Sequence, residues 1–339
     1  MAIDTQAYSQ HEFRLGIAEQ SAFGTANTTQ GDFRELHLTN RPELVSTPVE
    51  DNTMRATGSI VADYYDRYRT LAGGEFTIPI EGVLTKEQAA YLIHGCLQIL
   101  TSEGETPTFT KLWTLGTSVA VPATPNFVFT TLIYDPSGKN IRLQDCVIKN
   151  LTLAFSPGAA GGRITYSGTI YSGAIPVTSG VTATPGSWDS AGTTYYPMSS
   201  MDEVTFGTYD QVVAGWSITV DNGAKRYGYG TTGQAQGIAI GAGAAGISIT
   251  GELTSKYDSA SNIALELFTL SGAAPFAVTY NAASSSDLIF AMYARVPSEP
   301  KKDFGGDGGV MYTIPLEGVS SGATAALTVT LDDAIDMGW

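Results

Sequence analysis

The octapeptide FTIPIEGV at residues 76–83 returns near the other end of the chain as YTIPLEGV at residues 312–319. Six of the eight positions are identical, and the other two exchange Phe for Tyr and Ile for Leu. In both copies apolar residues alternate with polar residues or proline, which is the period of a half-buried β-strand. Proline lacks the N–H that a ladder requires, so each copy is expected at a sheet edge or a bulge. The chain is therefore predicted to be a β-sheet protein with an internal repeat.

A second pair of segments is also repeated. Residues 150–155 (NLTLAF) resemble residues 216–220 (WSITV), and residues 164–170 (ITYSGTI) align with residues 247–253 (ISITGEL). The octapeptide precedes this pair in the first half of the chain and follows it in the second. Two interpretations stay open: the halves are circularly related, or the octapeptide match is partly chance.

Helical periodicity is limited to two segments. Residues 85–100 begin with Thr85 and Gln88 at the spacing of a capping box. Six apolar residues of this segment share one helical face: Ala89, Leu92, Ile93, Cys96, Leu97 and Leu100. A shorter segment, residues 261–270, stops before Gly272. We therefore predict an all-β fold, β-rich with one or two flanking helices, arranged as two tandem β-sandwich or half-barrel domains.

The length of 339 residues favours two domains. Residues 1–45 are polar and irregular and are expected to form an N-terminal arm that can order against a neighbour. A first β domain is predicted at residues 46–171, with a Pro/Gly/Thr-rich insertion at residues 101–127. Residues 172–200 are rich in Gly, Pro, Ser and Thr and are predicted to be a linker, followed by a second β domain at residues 201–339.

The charge distribution argues against a protein that binds DNA or RNA tightly. The chain has 18 Lys and Arg against 33 Asp and Glu, a net charge of −15. Affinity for DNA or RNA requires cations that neutralise phosphates. We expect this chain to repel DNA or let it pass, although acidity that only maintains solubility remains an alternative.

Two glycine-rich stretches satisfy the dinucleotide-binding pattern G-x-G-x-x-G, at residues 228–233 and 241–246. That pattern binds pyrophosphate only where its last glycine opens a helix. Here strand-like runs follow, at residues 238–240 and 247–249. The sequence therefore predicts no cofactor site at either stretch.

Other residue types that could support chemistry are scattered. His94 and Cys96 lie two positions apart on a helix, and so on different faces. Cys96 and Cys146 are interpreted as small core residues, without a disulfide framework. Carboxylates near Arg67 and Arg69, or near the C-terminus, are expected on solvated faces or in salt bridges between subunits: Asp63, Asp66, Asp332, Asp333 and Asp336. The tripeptide DFG at residues 303–305 has no accompanying kinase motifs. We predict no catalytic, cofactor-binding or metal-binding site, and no enzyme.

These patterns together resemble the tail tube proteins of long-tailed bacteriophages. A polar N-terminal segment passes residues 21–25 (SAFGT) toward residues 42–44 (PEL). The strand at residues 75–83 leads into the first helix. Residues 146–170 carry paired strands, and residues 216–253 repeat their pattern. The likeness covers nearly the whole chain.

The resemblance implies a structural protein of the virion. In that family, small β-sandwiches with a flanking helix join edge to edge, and their strands line a continuous barrel around a lumen. Rings of six domains imply that this duplicated chain closes as a trimer with pseudo-sixfold symmetry. Stacked rings form the tube through which DNA is delivered without specific binding.

The resemblance also implies where the chain acts and what it contacts. The expected partners are further copies of the chain and other tail proteins, namely the tape measure, tail terminator and distal tail proteins, with no membrane partner. Assembly is expected in the host cytoplasm, because the N-terminus lacks a secretory signal and no apolar run is long enough to span a membrane. We expect the strand pairs 147–170 and 213–253 to face the lumen. The arm 1–45, the insertion 101–127 and the linker 172–200 are the candidates for contacts between rings.

Other functions remain as alternatives. A secreted or surface β-sandwich module that binds carbohydrate or acts as an adhesin would present a concave aromatic strip, which the sequence does not show. A head decoration or tail terminator protein would also be a virion component. The repeated unit favours the tube, because repetition helps to close a ring.

Overall fold

The computed structural model describes residues 9–51, 68–103, 109–116, 127–229, 235–241, 246–256, 262–281, 288–304, 310–321 and 324–333. The strands of the first half are β1 (Arg14–Glu19), β2 (Arg34–Glu35), β3 (Val45–Asp51), β4 (Tyr68–Val83), β5 (Ser102–Glu103), β6 (Phe109–Leu115), β7 (Phe129–Tyr134), β8 (Ile141–Phe155) and β9 (Thr165–Ser172). Those of the second half are β10 (Met201–Phe206), β11 (Tyr209–Asp210), β12 (Val213–Asp221), β13 (Lys225–Tyr229), β14 (Ala235–Ala239), β15 (Ser248–Lys256), β16 (Ala273–Tyr280), β17 (Leu288–Arg295), β18 (Lys301–Asp303), β19 (Met311–Gly318) and β20 (Leu327–Asp333). The described residues also form two α-helices, α1 (Lys86–Leu97) and α2 (Asn262–Leu270). The predicted all-β class is confirmed.

One antiparallel sheet runs through both halves of the chain. Its central strands follow the order β3-β4-β9-β8-β12-β15-β19-β18. We call these eight strands the central sheet. The halves join where β8 pairs with β12 over six residue pairs, from Trp216 opposite Phe155 to Asp221 opposite Asn150. The junction is held by backbone ladder hydrogen bonds of the same kind as those between the strands within each half.

The repeated segments occupy matching positions in this sheet. Ile80 of the first octapeptide lies opposite Gly168, and Leu316 of the second lies opposite Gly251. The β4–β9 and β19–β15 ladders therefore have the same register. In chain order, however, β4 corresponds to β15, because a helix follows each of these two strands.

Two glycines in these ladders allow a neighbouring backbone to come close. A Cβ on Gly168 would lie 2.5 Å from the carbonyl oxygen of Asn150, and a Cβ on Gly251 would lie 2.8 Å from that of Ser217. Only glycine avoids this overlap at either position.

Both octapeptide prolines lie where one edge of their strand has no ladder partner. β3 reaches only as far as Val45 opposite Thr77, so Pro79 lies beyond its end. β19 pairs on its outer edge at residues 311–313 with β18 and at 317–318 with β17, which leaves Pro315 between them. A missing N–H is tolerated at such a site, as the sequence predicted.

The remaining long strands form a second layer. In the first half, the strands pair in the order β2-β1-β7-β8, and only the N-terminal part of β8 belongs to this layer. In the second half the order is β11-β10-β16-β17-β20-β6-β5. Here β6 of the first half pairs with β20 of the second half over seven residue pairs. A strand from the predicted insertion 101–127 thus completes a sheet in the other half.

A large hydrophobic core fills the space between the layers, with side chains from both halves. Helix α1 lies in this core against β6, β8, β12 and β20. Its residues Ile93 and Leu97 line a small void together with Leu153 of β8 and Ile218 of β12. The helix therefore covers the buried face of the sheet at the junction of the halves.

The ends of α1 differ from the prediction. Thr85 is the N-cap residue but makes no side-chain cap bond, because its hydroxyl donates to the carbonyl oxygen of Ala191. The predicted capping box with Gln88 is therefore wrong. The helix ends at Leu97, not Leu100, because Gln98 adopts a left-handed φ of 62°. The second helix agrees with its predicted extent and ends before Gly272.

Segments predicted to be irregular are in fact packed. Within residues 1–45, β1 pairs with β7, and its Leu15 and Ile17 are buried. Gln20 donates to the buried Asp145 carboxylate at 2.9 Å. Residues 172–200 lie along the first half, where Trp188 packs on Phe33 with ring centroids 5.9 Å apart. Hydrophobic side chains within otherwise polar sequence hold both segments in place.

Candidate assembly surfaces

The central sheet has one buried face and one polar face. Side chains that alternate with the core residues point away from α1 and the second layer. Thr and Ser are the most frequent residue types among them: Thr77, Thr152, Thr165, Ser167, Thr169, Ser217, Thr219, Ser248, Thr250, Thr254 and Thr313. We call this surface the threonine face. It runs without interruption across the β8–β12 junction.

Hydrogen bonds between strands organise the threonine face. The hydroxyl oxygens of Thr152 and Thr219 lie 2.8 Å apart across β8 and β12. Those of Thr254 and Thr313 lie 3.4 Å apart across β15 and β19. Threonine pairs directly opposite each other stabilise antiparallel strands. The face therefore satisfies part of its own hydrogen-bonding capacity.

Carboxylates are spread over this face. Glu81, Asp221, Glu252 and Glu317 lie on β4, β12, β15 and β19, respectively. Glu81 accepts a hydrogen bond from the Asn40 amide at 3.2 Å.

The cations of the threonine face lie at its borders. Glu317 pairs with Arg295 at 2.8 Å. Lys256 and Lys301 lie at one end of the face, and Arg41 borders a groove beside Glu81. The middle of the face thus presents hydroxyls and negative charge.

Both edges of the central sheet are open in the described part of the chain. β3 has a ladder partner only in β4, and β18 only in β19. An open strand presents unpaired N–H and C=O groups to any strand of a neighbouring molecule. These two edges are the places where the sheet can continue into another copy.

Asn222 fixes the junction of the two halves from inside. Its buried side-chain amide donates to the carbonyl oxygen of Cys96 at 2.9 Å and to that of Ile148 at 2.8 Å. Its side-chain oxygen accepts from Ala224 N–H at 3.0 Å. One residue thus connects the end of α1, β8 and the loop after β12.

The ionisable groups at the junction are held neutral by burial. Burial lowers the pKa of His94 to about 3, and its Nδ1 accepts from the Trp113 indole N–H at 2.9 Å. Burial raises the pKa of the Cys96 thiol, with a further contribution from Asp221. Burial likewise raises the pKa of Cys146 to about 12. These thiols are protonated and unreactive at neutral pH.

The sequence motifs without a predicted function lie partly within the described residues. The predicted strands after the two glycine-rich stretches are confirmed as β14 and β15, and residues 230–234 and 242–245 lie outside the described residues. Asp303 ends β18, and Gly305 is outside the described part. Asp332 and Asp333 end β20. Asp63, Asp66, Arg67 and Asp336 also fall outside the described residues.

Within the described ranges, no group of three or more His, Cys, Asp and Glu side chains is arranged to hold a metal ion. None of the described helices has the length and apolar character needed to cross a membrane.

Sequence reasoning missed the junction of the halves. Nothing in the pattern of β8 or β12 identifies the other as its partner, and Asn222 is one polar residue in a loop. The threonine face had a usable signal: residues 165–169 (TYSGT) and 250–254 (TGELT) place Thr or another polar residue at every second position. That alternation identifies a solvated sheet face.

Comparison with known proteins identifies the family. The family model described as phage tail tube protein matches residues 12–318, nearly the whole chain. No curated protein matches the chain. The described fold, a β-rich body with two helices and open sheet edges, is consistent with that match. The chain therefore belongs to the phage tail tube proteins, which are structural components of the virion tail.

Proposed function

We propose that three copies of this chain close into a ring whose inner wall is one continuous β-barrel. The observation that carries this proposal is the β8–β12 junction, where two four-stranded units already join edge to edge within one chain. We interpret residues 46–171 and 201–339 as two tube domains, with the segment 172–200 between them. The same kind of junction, between β18 of one copy and β3 of the next, would continue the sheet.

Strand direction is compatible with this closure. The central sheet contains eight antiparallel strands, so its two edge strands run in opposite directions. The β18 edge of one copy therefore meets the β3 edge of the next in antiparallel orientation. No strand has to be inserted or reversed to complete the barrel.

The size of the barrel supports three copies. A barrel of eight strands is filled by its own side chains, whereas sixteen to eighteen strands leave an aqueous channel. Eight strands from each of three copies give twenty-four. Strands about 4.8 Å apart and tilted by about 40° then produce a backbone diameter of about 45–50 Å. That lumen has room for a DNA duplex.

The threonine face is the surface that we assign to the lumen. It includes the strand pairs 147–170 and 213–253. The opposite face of the sheet is covered by α1 and the second layer, so only the threonine face is available to line a channel. Hydroxyls and an excess of carboxylates give DNA phosphates no cationic surface to adhere to. DNA would then move through the tube without specific binding.

Stacking contacts are assigned to the segments 1–45, 101–127 and 172–200. Two of these segments expose large apolar side chains, Phe23 at 37% and Met198 at 52% of their full surface. Head-to-tail contacts of this kind produce an open filament. Tape measure, tail terminator and distal tail proteins are the expected partners inside and at the ends of the tube.

Electron cryomicroscopy of the purified full-length chain at high concentration tests this proposal. We expect hollow rings or tubes with threefold symmetry per ring and the threonine face on the inner wall. Rings of two or four copies would contradict the stoichiometry. A chain that stays monomeric at every concentration would contradict the assembly itself.

A further inference from the structure

The two helices of this chain differ sharply in burial. Nine of the twelve residues of α1 are buried. In α2, Ala264 is buried, but Leu265 is 42% exposed and Leu270 is 70% exposed. Phe268, between them, is only half-buried. Exposed leucines on a short helix leave apolar surface in water that a partner could cover.

The reason for the burial of α1 lies in the other half of the chain. One side of α1 packs on β8 of its own half, and the helix also contacts β12 and β20 of the second half. Cys96 and Leu97 line a small void together with Val220 and Val329 from that half. The burial of α1 thus depends on strands of the second half, which lie beyond the β8 edge of the first half.

The two helices hold equivalent places in the order of the chain. The first half runs β3, β4, α1 and then β8 and β9, and the second runs β12, β15, α2 and then β18 and β19. In the central sheet the order is β3-β4-β9-β8 in the first half and β12-β15-β19-β18 in the second. In this correspondence α2 is the counterpart of α1, and the β18 edge is the counterpart of the β8 edge. Beyond β8 lies β12, whereas beyond β18 the described chain has no strand.

We propose that α2 is a docking helix that binds a second copy of this chain, through Leu265 and Leu270, as α1 binds the second half of its own chain. This inference rests on the ring closure proposed above and names the surface that seals each junction on the outside of the barrel. The partner is the first-half edge of the next copy, where β3 takes the place that β12 takes beside α1.

The chemistry of α2 favours a protein partner. Its sequence, NIALELFTL, contains no Lys or Arg that could attract anionic lipid. The exposed leucines are flanked by Glu266 and Thr269, which are themselves exposed. A small apolar patch with a polar rim is typical of a subunit contact.

Paired substitutions test the proposal. Leu265→Gln with Leu270→Gln removes the apolar surface, and Leu265→Met with Leu270→Met is the matched control, because Gln and Met have nearly the same length and shape. We expect the Gln variant to stay folded and to need a concentration about a hundredfold higher for ring assembly, the loss expected from two leucine contacts. The Met variant should assemble within a few-fold of the unmodified chain.

Hydrogen–deuterium exchange of the unmodified chain provides an independent readout. On assembly, amides of α2 should gain protection, while those of α1 should be protected equally in both states. If the unmodified chain forms rings and α2 gains no protection, or the Gln variant assembles normally, the docking role is wrong while the ring proposal stands. If the unmodified chain forms no rings, both proposals fail.

Discussion

Asn222 shows how a single polar side chain connects the halves of this protein. Its amide donates to two backbone carbonyls, that of Cys96 at the end of α1 and that of Ile148 in β8. Leaving such a group unpaired costs about 1–3 kcal/mol. The residue thus stabilises one particular arrangement of the junction, in addition to the nonspecific contribution of apolar contacts.

His94 makes the junction sensitive to acid. Its pKa is lowered to about 3 in the folded chain, whereas an unfolded histidine titrates near 6.5. As the pH falls from about 6.5 toward 3, the unfolded chain takes up a proton that the folded chain does not. This difference destabilises the fold by about 2 kcal/mol at pH 5.

Replacing His94 by Asn tests this linkage. Asparagine keeps an acceptor for the Trp113 indole N–H but does not titrate. We expect a lower melting temperature at pH 7, from lost packing, and a smaller further drop between pH 7 and pH 5 than in the unmodified chain. Thermal melts of the unassembled protein measure both. Equal drops in the two proteins would show that His94 does not control this pH range.

At the scale of elements, the β8–β12 ladder decides how the halves are joined. Thr152 and Thr219 are directly opposite, with hydroxyl oxygens 2.8 Å apart. Opposite side chains in an antiparallel pair come close enough for a disulfide when both are cysteine. The two native cysteines are buried and do not compete.

Thr152→Cys with Thr219→Cys should therefore form a disulfide within one chain. Non-reducing electrophoresis and mass spectrometry should show an oxidised monomer, and each single variant serves as a control that cannot close the bond internally. Covalent dimers from the double variant would mean that β8 and β12 pair between chains instead. That result would contradict the topology described here.

At the scale of the whole molecule, the threonine face is the surface that we propose to line the lumen and to face the DNA. The face is nearly free of cations at its centre, and the proposed lumen depends on that property. Cations placed there should release counterions from DNA on binding and make the binding sensitive to salt.

Glu81→Lys with Glu252→Lys should convert the face into a DNA-binding surface. Fluorescence anisotropy with a short duplex should detect binding at about 50 mM salt that weakens strongly by about 200 mM. The control Glu81→Gln with Glu252→Gln and the unmodified chain should bind far more weakly. Tight binding by the unmodified chain would refute the idea of an indifferent lumen.

Much of the local structure of this protein could be predicted from its amino-acid sequence. Alternation in FTIPIEGV and YTIPLEGV predicted strands with edge prolines, and both occur. The two helical segments and the resemblance to tail tube proteins were likewise readable without coordinates. These features depend on the neighbours of each residue along the chain, and a sequence records such neighbours directly.

The pairing of distant elements, in contrast, is visible only in the folded chain. Hydrophobic periodicity does not indicate that β8 pairs with β12, that β6 pairs with β20, or that α1 is buried between the halves. The physical reason is that a side-chain pattern specifies which face of a strand is buried, whereas the ladder itself is made of backbone groups that every strand possesses. The choice of partner therefore comes from the packing of the whole core.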